Sequence, residues 1–233
     1  MTFHIITIFP DSLKSYIETS ILRKAQEQKK VKIIFYNLRD FVSPKNGDEK
    51  RRQVDDKPYG GGAGMILQAE PILKAVSRIK SKIKGQKSKV IVLSAKGKQF
   101  NQKIALNYSK NYKHIILIAG RYEGIDERVK IALKAEEISI GPYVLTDGEL
   151  PAAVLISTIT RLIPGVIRFE SLEEESFFNK LTGQTDQQFL EYPHYTRPEI
   201  FSYKSKKYRV PKILLSGNHK KIAIWRSERA KRG

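Results

Sequence analysis

Three short glycine-bearing segments follow runs of β-branched residues, and each can present main-chain groups to a ligand. They cover residues 94–97, 120–127 and 141–151. In an open α/β sheet, ligands bind beyond the carboxyl ends of the strands, where glycine allows close approach to the backbone. Main-chain N–H and C=O groups there can hydrogen-bond a flat heterocycle and a ribose. One such segment alone would be an ordinary turn, but three in succession predict a nucleoside-binding pocket.

A fourth glycine cluster lies at residues 58–65, where four glycines stand within five consecutive positions. Glycine there either permits a positive φ or leaves room for another molecule beside the backbone. The cluster lacks the Gly-Lys-Ser/Thr ending of a phosphate-binding loop and the spacing of a dinucleotide fingerprint. From the residues alone, a mobile surface loop and a ligand-contacting loop both remain open.

The side chains do not favour covalent or metal-dependent catalysis. The chain has no cysteine, and its four histidines include no helical i, i+4 pair, so a dedicated transition-metal site is not predicted. No Ser-His-Asp triad or pair of catalytic carboxylates stands out. Methyl transfer from a sulfonium donor needs neither, because the donor is already activated and the protein mainly aligns two substrates and removes a proton.

The elements that must position these segments alternate between strands and helices. Runs rich in Val, Ile and Leu predict strands at residues 3–9, 31–36, 90–93, 114–119 and 137–140. Helices are predicted from residue 11 or 12 to about 29, from 71 to 84 and from 149 to 162, each with a capping residue or an early proline. This alternation predicts an α/β fold with a mostly parallel sheet and helices on both faces.

Beyond residue 163 the pattern changes, and we predict a methyl-donor domain at 1–163, a linker at 164–175 and a basic helical domain at 176–233. The formal net charge of the chain is +19, and residues 201–233 hold eleven basic residues against one acidic residue. Tyr203, Tyr208 and Trp225 lie among these charges, as in surfaces that follow phosphates and stack on bases. Nucleic acid is the predicted partner. No membrane span or signal sequence is recognisable, so a cytoplasmic protein is expected.

Six segments resemble, in order, the signatures of bacterial tRNA (guanine-N1)-methyltransferases. They cover residues 58–65, 120–128, 143–145, 148–151, 193–198 and 215–219. Each segment is weak alone, but the combination is specific. The resemblance implies that a methyl group passes from S-adenosylmethionine to N1 of the guanosine immediately 3′ of the tRNA anticodon. It also implies the SPOUT class with a trefoil knot, a homodimer that builds each site from both subunits, and Mg²⁺ dependence.

Carried over to the matching positions, the resemblance assigns three groups of site residues. The cofactor pocket would contain Ser94, Ala95, Gly120, Glu123, Gly124, Ile140, Gly141, Tyr143, Leu145, Gly148 and Pro151. The tRNA would contact Tyr59, Gly60, Gly61, Gly62, His194, Arg197, Asn218 and His219. Catalysis would involve Glu175, Arg161 and Arg121, with Glu175 as the general base. No residue is assigned to a metal.

Several positions depart from the family pattern. Ala95 replaces a proline, Pro142 stands where an acidic residue is usual, Asp147 replaces a glycine, and Glu175 replaces an aspartate. These departures leave open an RNA-binding SPOUT protein without catalysis and an RNA methyltransferase with a different target. For Arg121 and Arg161, a structural salt bridge or a solvated position is the alternative to a catalytic role.

Overall fold

The structure, a computed structural model, describes residues 1–44, 52–168 and 191–230. The chain divides into two compact units, Met1–Ile167 and Arg168–Gly233. Residues 164–167, which we assigned to the linker, are grouped with the first unit, whereas residues 169–175 lie outside the described ranges. The domain boundaries drawn from the sequence stay a prediction.

The first unit alternates strands and helices. In chain order they are β1 (Thr2–Thr7), α1 (Lys14–Ile17), α2 (Ser20–Glu27), β2 (Lys32–Asn37), β3 (Asp55–Asp56), β4 (Ile66–Leu67), α3 (Ala69–Ile83), β5 (Ser88–Gln99), α4 (Gln102–Asn111), β6 (His114–Ala119), α5 (Glu127–Leu133), β7 (Glu136–Ser139) and α6 (Glu149–Arg161). Two 3-10 turns, Pro10–Leu13 and Leu38–Phe41, follow β1 and β2.

Five strands form one parallel sheet in the order β2-β1-β6-β5-β7, while β3 and β4 form a separate antiparallel pair. The mostly parallel sheet is therefore confirmed. Because β7 pairs with β5 and not with β6, the chain passes over β5 between β6 and β7. The carboxyl ends of β5, β6 and β7 meet at one edge of the sheet, which is where a ligand site is expected.

Helices cover both faces of the sheet, as predicted. Side chains alternate across a strand, so Phe3 and Ile5 of β1 enter one core cluster while Ile6 enters the other. The first cluster packs against α1, α2, α4 and α6, and the second packs against α3 and α5. Burial on both faces explains why the predicted strands are continuous apolar runs.

The single helix predicted from residue 11 or 12 to 29 is wrong, because the segment is broken into Pro10–Leu13, α1 and α2. Ser20 has a positive φ of 46°, and Ile17 and Leu22 on either side are both buried in the same cluster. On a continuous helix, residues five apart point about 140° away from each other. The break turns both side chains toward the sheet.

Two short helices, α4 and α5, were not predicted. Asn101 caps α4 by accepting a hydrogen bond from Ile104 N, and Asp126 caps α5 by accepting one from Arg128 N. Both helices are too short to show a clear 3.6-residue pattern. Among the described residues, none of the helices is both long and apolar enough to cross a membrane.

The described part of the second unit is not wholly helical, which corrects the predicted composition of this domain. It contains an antiparallel hairpin of β8 (Ile200–Tyr203) and β9 (Lys206–Arg209), a 3-10 turn at Lys212–Leu215, and α7 (His219–Arg229). Lys204 and Ser205 form the hairpin turn with positive φ values of 47° and 60°. The usual Asn-Gly signal of such a turn is missing, so the sequence did not reveal the hairpin.

Candidate functional site

A cavity of about 410 Å³ lies at the carboxyl ends of β5, β6 and β7. Its wall comes largely from the three glycine-bearing segments that the sequence analysis singled out. Cavities of roughly 300–1,000 Å³ are typical of small-molecule sites. The tertiary structure thus brings three segments that are distant in sequence to one concave surface.

Residues 94–97, within β5, reach the cavity because the strand leaves its ladder with β7 there. Leu93 and Lys98 both pair with Ile138 of β7, so residues 94–97 bulge out between them. Ser94 and Ala95 therefore line the cavity instead of pairing with β7. A register shift of this kind is a common way to direct side chains at a site.

The predicted cofactor residues line this cavity, with one exception. Gly141 lies behind the wall, where its carbonyl accepts hydrogen bonds from the Ser139 hydroxyl and from Tyr143 N. A Cβ at Gly141 would overlap the ring of Tyr143, which is itself a lining residue. Gly141 thus supports the wall through Tyr143 but does not form it.

Gly148 allows α6 to begin against the end of β6. Its N–H donates to the Gly120 carbonyl at 2.9 Å. A Cβ on Gly148 would lie 2.5 Å from Gly120 N and 2.8 Å from Ala119 Cα, which are main-chain atoms that cannot rotate away. Gly148 is therefore required by a close approach of two backbones, and its φ of −90° needs no glycine.

Arg121 is held by a buried carboxylate. Its Nε donates to Glu149 Oε2 at 3.1 Å, and its guanidinium lies 4.7 Å from the ring centroid of Phe9. The hydroxyl of Thr7 donates to the other oxygen of Glu149, which is 1% exposed. Burial raises the pKa of Glu149, although the Thr7 hydrogen bond and the Arg121 charge oppose that shift. The structural reading of Arg121 is thus supported, and its place in the cavity wall keeps the catalytic role open.

Asp147, which departs from the family pattern, connects the cavity to the start of α6. Its Oδ1 accepts from Leu150 N at 3.0 Å, and its Oδ2 lies 3.8 Å from Arg121 Nη2. Burial alone would raise the pKa of Asp147, but the hydrogen bond from Leu150 and the charge of Arg121 bring it below the usual value. Asp147 stays ionised at neutral pH and supplies negative charge to the wall.

Four charged lining residues that were not assigned individually form a cluster of ion pairs. Lys130 Nζ lies 2.7 Å from carboxylate oxygens of both Glu127 and Glu137, and Lys96 Nζ lies within 4 Å of the same two side chains. The hydrogen bond from Lys130 lowers the pKa of Glu127. Glu127 belongs to a segment that the sequence analysis quoted. Lys96 belongs to the glycine-bearing segment at residues 94–97, whereas Glu137 of β7 and Lys130 of the unpredicted α5 were marked by no local signal.

The glycine cluster at residues 58–65 uses glycine for its backbone conformation. Gly60, Gly61, Gly62 and Gly64 all have positive φ. A Cβ at Gly60 or Gly61 would meet no atom within 4 Å, so these positions leave open space. The end of the cluster is anchored beside the cavity, because Glu123 N donates to Met65 O at 3.0 Å. Tyr59 is 99% exposed.

Of the two remaining catalytic assignments, Arg161 is not a lining residue of this cavity. Arg161, the last residue of α6, lines a separate small cavity with Tyr16, Ile21 and Ser157. Glu175 lies outside the described residues. Both assignments therefore remain expectations from the resemblance.

The predicted tRNA contacts of the second unit are exposed. His194 lies 3.6 Å from the carboxylate of Glu191 and packs against the ring of Tyr192. Asn218 caps α7 by accepting a hydrogen bond from Lys221 N at 3.1 Å, so it has a structural role. His219 is the first residue of that helix, and Arg197 is exposed beside Pro198.

Three comparisons show what this chain is similar to. A sequence model of the family described as tRNA (Guanine-1)-methyltransferase TrmD matches residues 1–233. A tRNA (guanine-N(1)-)-methyltransferase of Dictyoglomus turgidum is 50% identical over 227 residues, which cover 97% of this chain and 83% of the relative. One from Clostridioides difficile is 47% identical over 98% of this chain and 91% of the relative. The crystal structure of tRNA (m1G37) methyltransferase from Aquifex aeolicus matches with a TM-score of 0.74 and 35% identity, covering 97% of this chain and 87% of that one.

Proposed function

This chain belongs to the tRNA (guanine-1)-methyltransferase family, and we propose that it transfers a methyl group from S-adenosylmethionine to N1 of guanosine 37 in tRNA. The match of the family to residues 1–233 carries the proposal. The cavity beyond β5, β6 and β7 supports it, because parallel α/β sheets bind nucleosides at such an edge.

The lining residues fit S-adenosylmethionine, which supplies an activated methyl group when it is bound. Apolar side chains such as Ile125, Ile140 and Leu145 lie beside glycine backbone, an arrangement suited to adenine and ribose. Acidic lining residues outnumber basic ones, which favours the positive sulfonium and ammonium groups. We assign the cofactor site to this cavity, with Gly141 supporting it from behind.

Attack by guanine N1 requires that the guanine lose its N1 proton. We assign acceptance of that proton to Glu175. A carboxylate within hydrogen-bond reach of N1 can remove the proton as the methyl group transfers. Glu175→Gln should lower turnover by about 10²–10⁴-fold while leaving donor affinity unchanged. Glu174→Gln, in the same acidic run, is the matched control. Full activity of Glu175→Gln in single-turnover assays would remove Glu175 from the mechanism.

We further propose a homodimer formed through the first unit. Leu150 and Val154, one turn apart on α6, are 51% and 40% exposed, and Tyr16 and Ile21 are 47% and 46% exposed. Burying such side chains favours association. Arg161 lines the small cavity beside Tyr16 and Ile21 and not the methyl-donor cavity of its own chain. A catalytic role for Arg161 would therefore depend on a second copy.

Sedimentation of a charged variant tests this surface. Val154→Glu should dissociate the dimer, whereas Ile131→Glu, at an exposed position on α5, should not. A wild-type monomer at assay concentrations would contradict the proposal. If each active site takes its donor pocket from one subunit and its base from the other, mixed dimers of Glu175→Gln and Gly120→Val chains hold one intact site. Mixing these two inactive variants should therefore restore activity.

The activity itself is tested with labelled S-adenosylmethionine and two tRNA transcripts that differ only in guanosine or adenosine at position 37. We expect label in the first transcript alone, mapped to N1. Binding without methylation would favour the RNA-binding alternative, and label at another atom would favour a different target.

The trefoil knot and Mg²⁺ dependence rest on the resemblance, and the cytoplasmic location rests on the sequence, in which no membrane span or signal sequence is recognisable. In the ranges that the structure describes, no three His, Asp or Glu side chains are grouped closely enough to hold a metal ion. Mg²⁺ would then act with the bound substrates or with tRNA phosphates. A chelator should lower methyl transfer without lowering donor affinity.

A further inference from the structure

The β8–β9 hairpin has two chemically different faces. Phe201 pairs with Tyr208, and Tyr203 pairs with Lys206. Paired residues share a face of an antiparallel ladder, and alternate residues of one strand share it too. These four side chains therefore lie on one face, which we name the aromatic face.

The opposite face is cationic, and we name it the basic face. It holds Ile200 opposite Arg209 and Ser202 opposite Lys207. Residues 200–209 contain four basic residues and no acidic one. Lys204, in the turn, places its ammonium 5.5 Å from the ring centroid of Tyr203.

The rings of the aromatic face are accessible among the residues that the structure describes. Phe201, Tyr203 and Tyr208 are 55%, 58% and 45% exposed. The rings of Phe201 and Tyr208 stack with centroids 5.2 Å apart and planes inclined by 16°. The hairpin thus presents a rigid stacked pair with an open surface.

The charge pattern selects the partner of this surface. Four cations without an anion favour a polyanion, and they oppose a second copy of the same hairpin through like-charge repulsion. Exposed aromatic rings beside cations are the combination by which proteins bind single-stranded nucleic acid, because every base has a π-face. An unpaired stretch of RNA offers bases to the aromatic face and phosphates to the basic face.

We propose that the aromatic face stacks on unpaired bases of the RNA substrate while the basic face and Lys204 contact its phosphates. This deepens the proposed function, since it names the part of the tRNA that the hairpin recognises: nucleotides outside the paired stems. The stacking is independent of base identity, so the hairpin contributes affinity without selecting a sequence.

Two matched double variants separate the faces. In the full-length protein, Phe201→Leu with Tyr208→Leu removes the rings, and Lys207→Gln with Arg209→Gln removes two charges. The first should weaken tRNA binding by about 5- to 100-fold at every salt concentration, because only stacking is lost. The second should lower the slope of log affinity against log salt by about 1.4–1.8. Tyr208→Phe keeps the ring and should bind like the wild type.

A defined probe distinguishes this inference from the proposed function. An oligouridine should bind the wild type more tightly than a duplex RNA of equal length, and the Leu variant should lose that preference, whether or not any methyl transfer occurs. Unchanged S-adenosylhomocysteine affinity and an unchanged circular dichroism spectrum verify folding. If the folded variant Phe201→Leu with Tyr208→Leu bound oligouridine and tRNA as tightly as the wild type does, the proposal would be overturned. If this Leu variant lost self-association but kept RNA binding, the proposal would also be overturned, and the aromatic face would instead contact a second copy of the chain.

Discussion

Two individual contacts, the Arg121–Glu149 ion pair and the Gly148–Gly120 backbone contact, determine how the cavity wall joins the core. Glu149 is buried, with its oxygens occupied by Arg121 and Thr7. An ionised carboxylate in that position is tolerated because it is paired and hydrogen-bonded. The pair therefore stabilises the start of α6, whatever Arg121 contributes to catalysis.

Arg121→Met should lower the free energy of unfolding by about 3 kcal/mol, because it leaves the Glu149 carboxylate buried without a cation, with only the Thr7 hydrogen bond. The folded-state pKa of Glu149 is already raised, and removing Arg121 should raise it further. A raised carboxyl pKa costs stability as pH rises through the unfolded value of 4.5. The variant should therefore lose more stability at pH 7 than at pH 4 in urea unfolding. Adding Glu149→Gln should recover part of the loss, and a simple sum of the two single effects would show that the residues are uncoupled.

Gly148→Ala should be destabilising by about 1–3 kcal/mol, since the added methyl overlaps main-chain atoms of Gly120 and Ala119. Gly120→Ala is the matched control, because the atoms nearest to its Cβ would be 3.6 Å away. Urea unfolding measures both variants, and calorimetry measures their S-adenosylhomocysteine affinity. Equal stability of the two variants would mean that α6 can shift without cost.

At the scale of elements, three adjacent strands share a histidine cluster at the end of the sheet remote from the cavity. His4 of β1 is 3% exposed, with Nδ1 3.1 Å from the Tyr36 hydroxyl of β2 and Nε2 3.1 Å from His114 Nδ1 of β6. Burial lowers the pKa of His4 to about 4, and the nearby charges of His114, Lys32 and Lys82 add to that shift. Protonation of this residue opposes the packing of β1 between β2 and β6.

The sheet should therefore lose stability in acid. A histidine whose folded pKa lies below its unfolded value of 6.5 stabilises fully above that pH, and the contribution disappears as pH falls through about 4. The predicted loss from this group is about 3 kcal/mol. His4→Gln, which does not titrate, should flatten the dependence between pH 6.5 and 4, whereas the exposed His219→Gln should leave it unchanged. An equally steep profile for His4→Gln in thermal unfolding would assign the acid sensitivity elsewhere.

At the scale of the whole molecule, the first unit is predicted to bind the methyl donor and the second to bind tRNA. The first unit contains both core clusters and the cavity, whereas residues 201–233 carry a net charge of +10 out of +19. A polyanion bound mainly by those residues should be released by salt, because each phosphate contact frees a counterion.

Truncation after Thr182 should weaken tRNA binding and flatten its salt dependence by roughly 0.7–0.9 per lost phosphate contact. S-adenosylhomocysteine affinity should survive, since the cavity belongs to the first unit. Filter binding across salt concentrations measures the first quantity and calorimetry the second. If the truncated chain kept the full salt slope, the first unit would carry the RNA.

The sequence by itself determined the parallel sheet, helices on its two faces, the three cavity segments and the family. Continuous apolar runs, strand-end glycines and ordered signatures are local patterns, and each is legible without knowing its neighbours in space. The tertiary structure decided what depends on distant partners. The break at Ser20 follows from Ile17 and Leu22 having to reach the same core, and Gly148 is needed because Gly120 lies against it. The separation of Arg161 from the cavity likewise depends on how α6 packs, and periodicity along one helix carries no information about which surface its last residue meets.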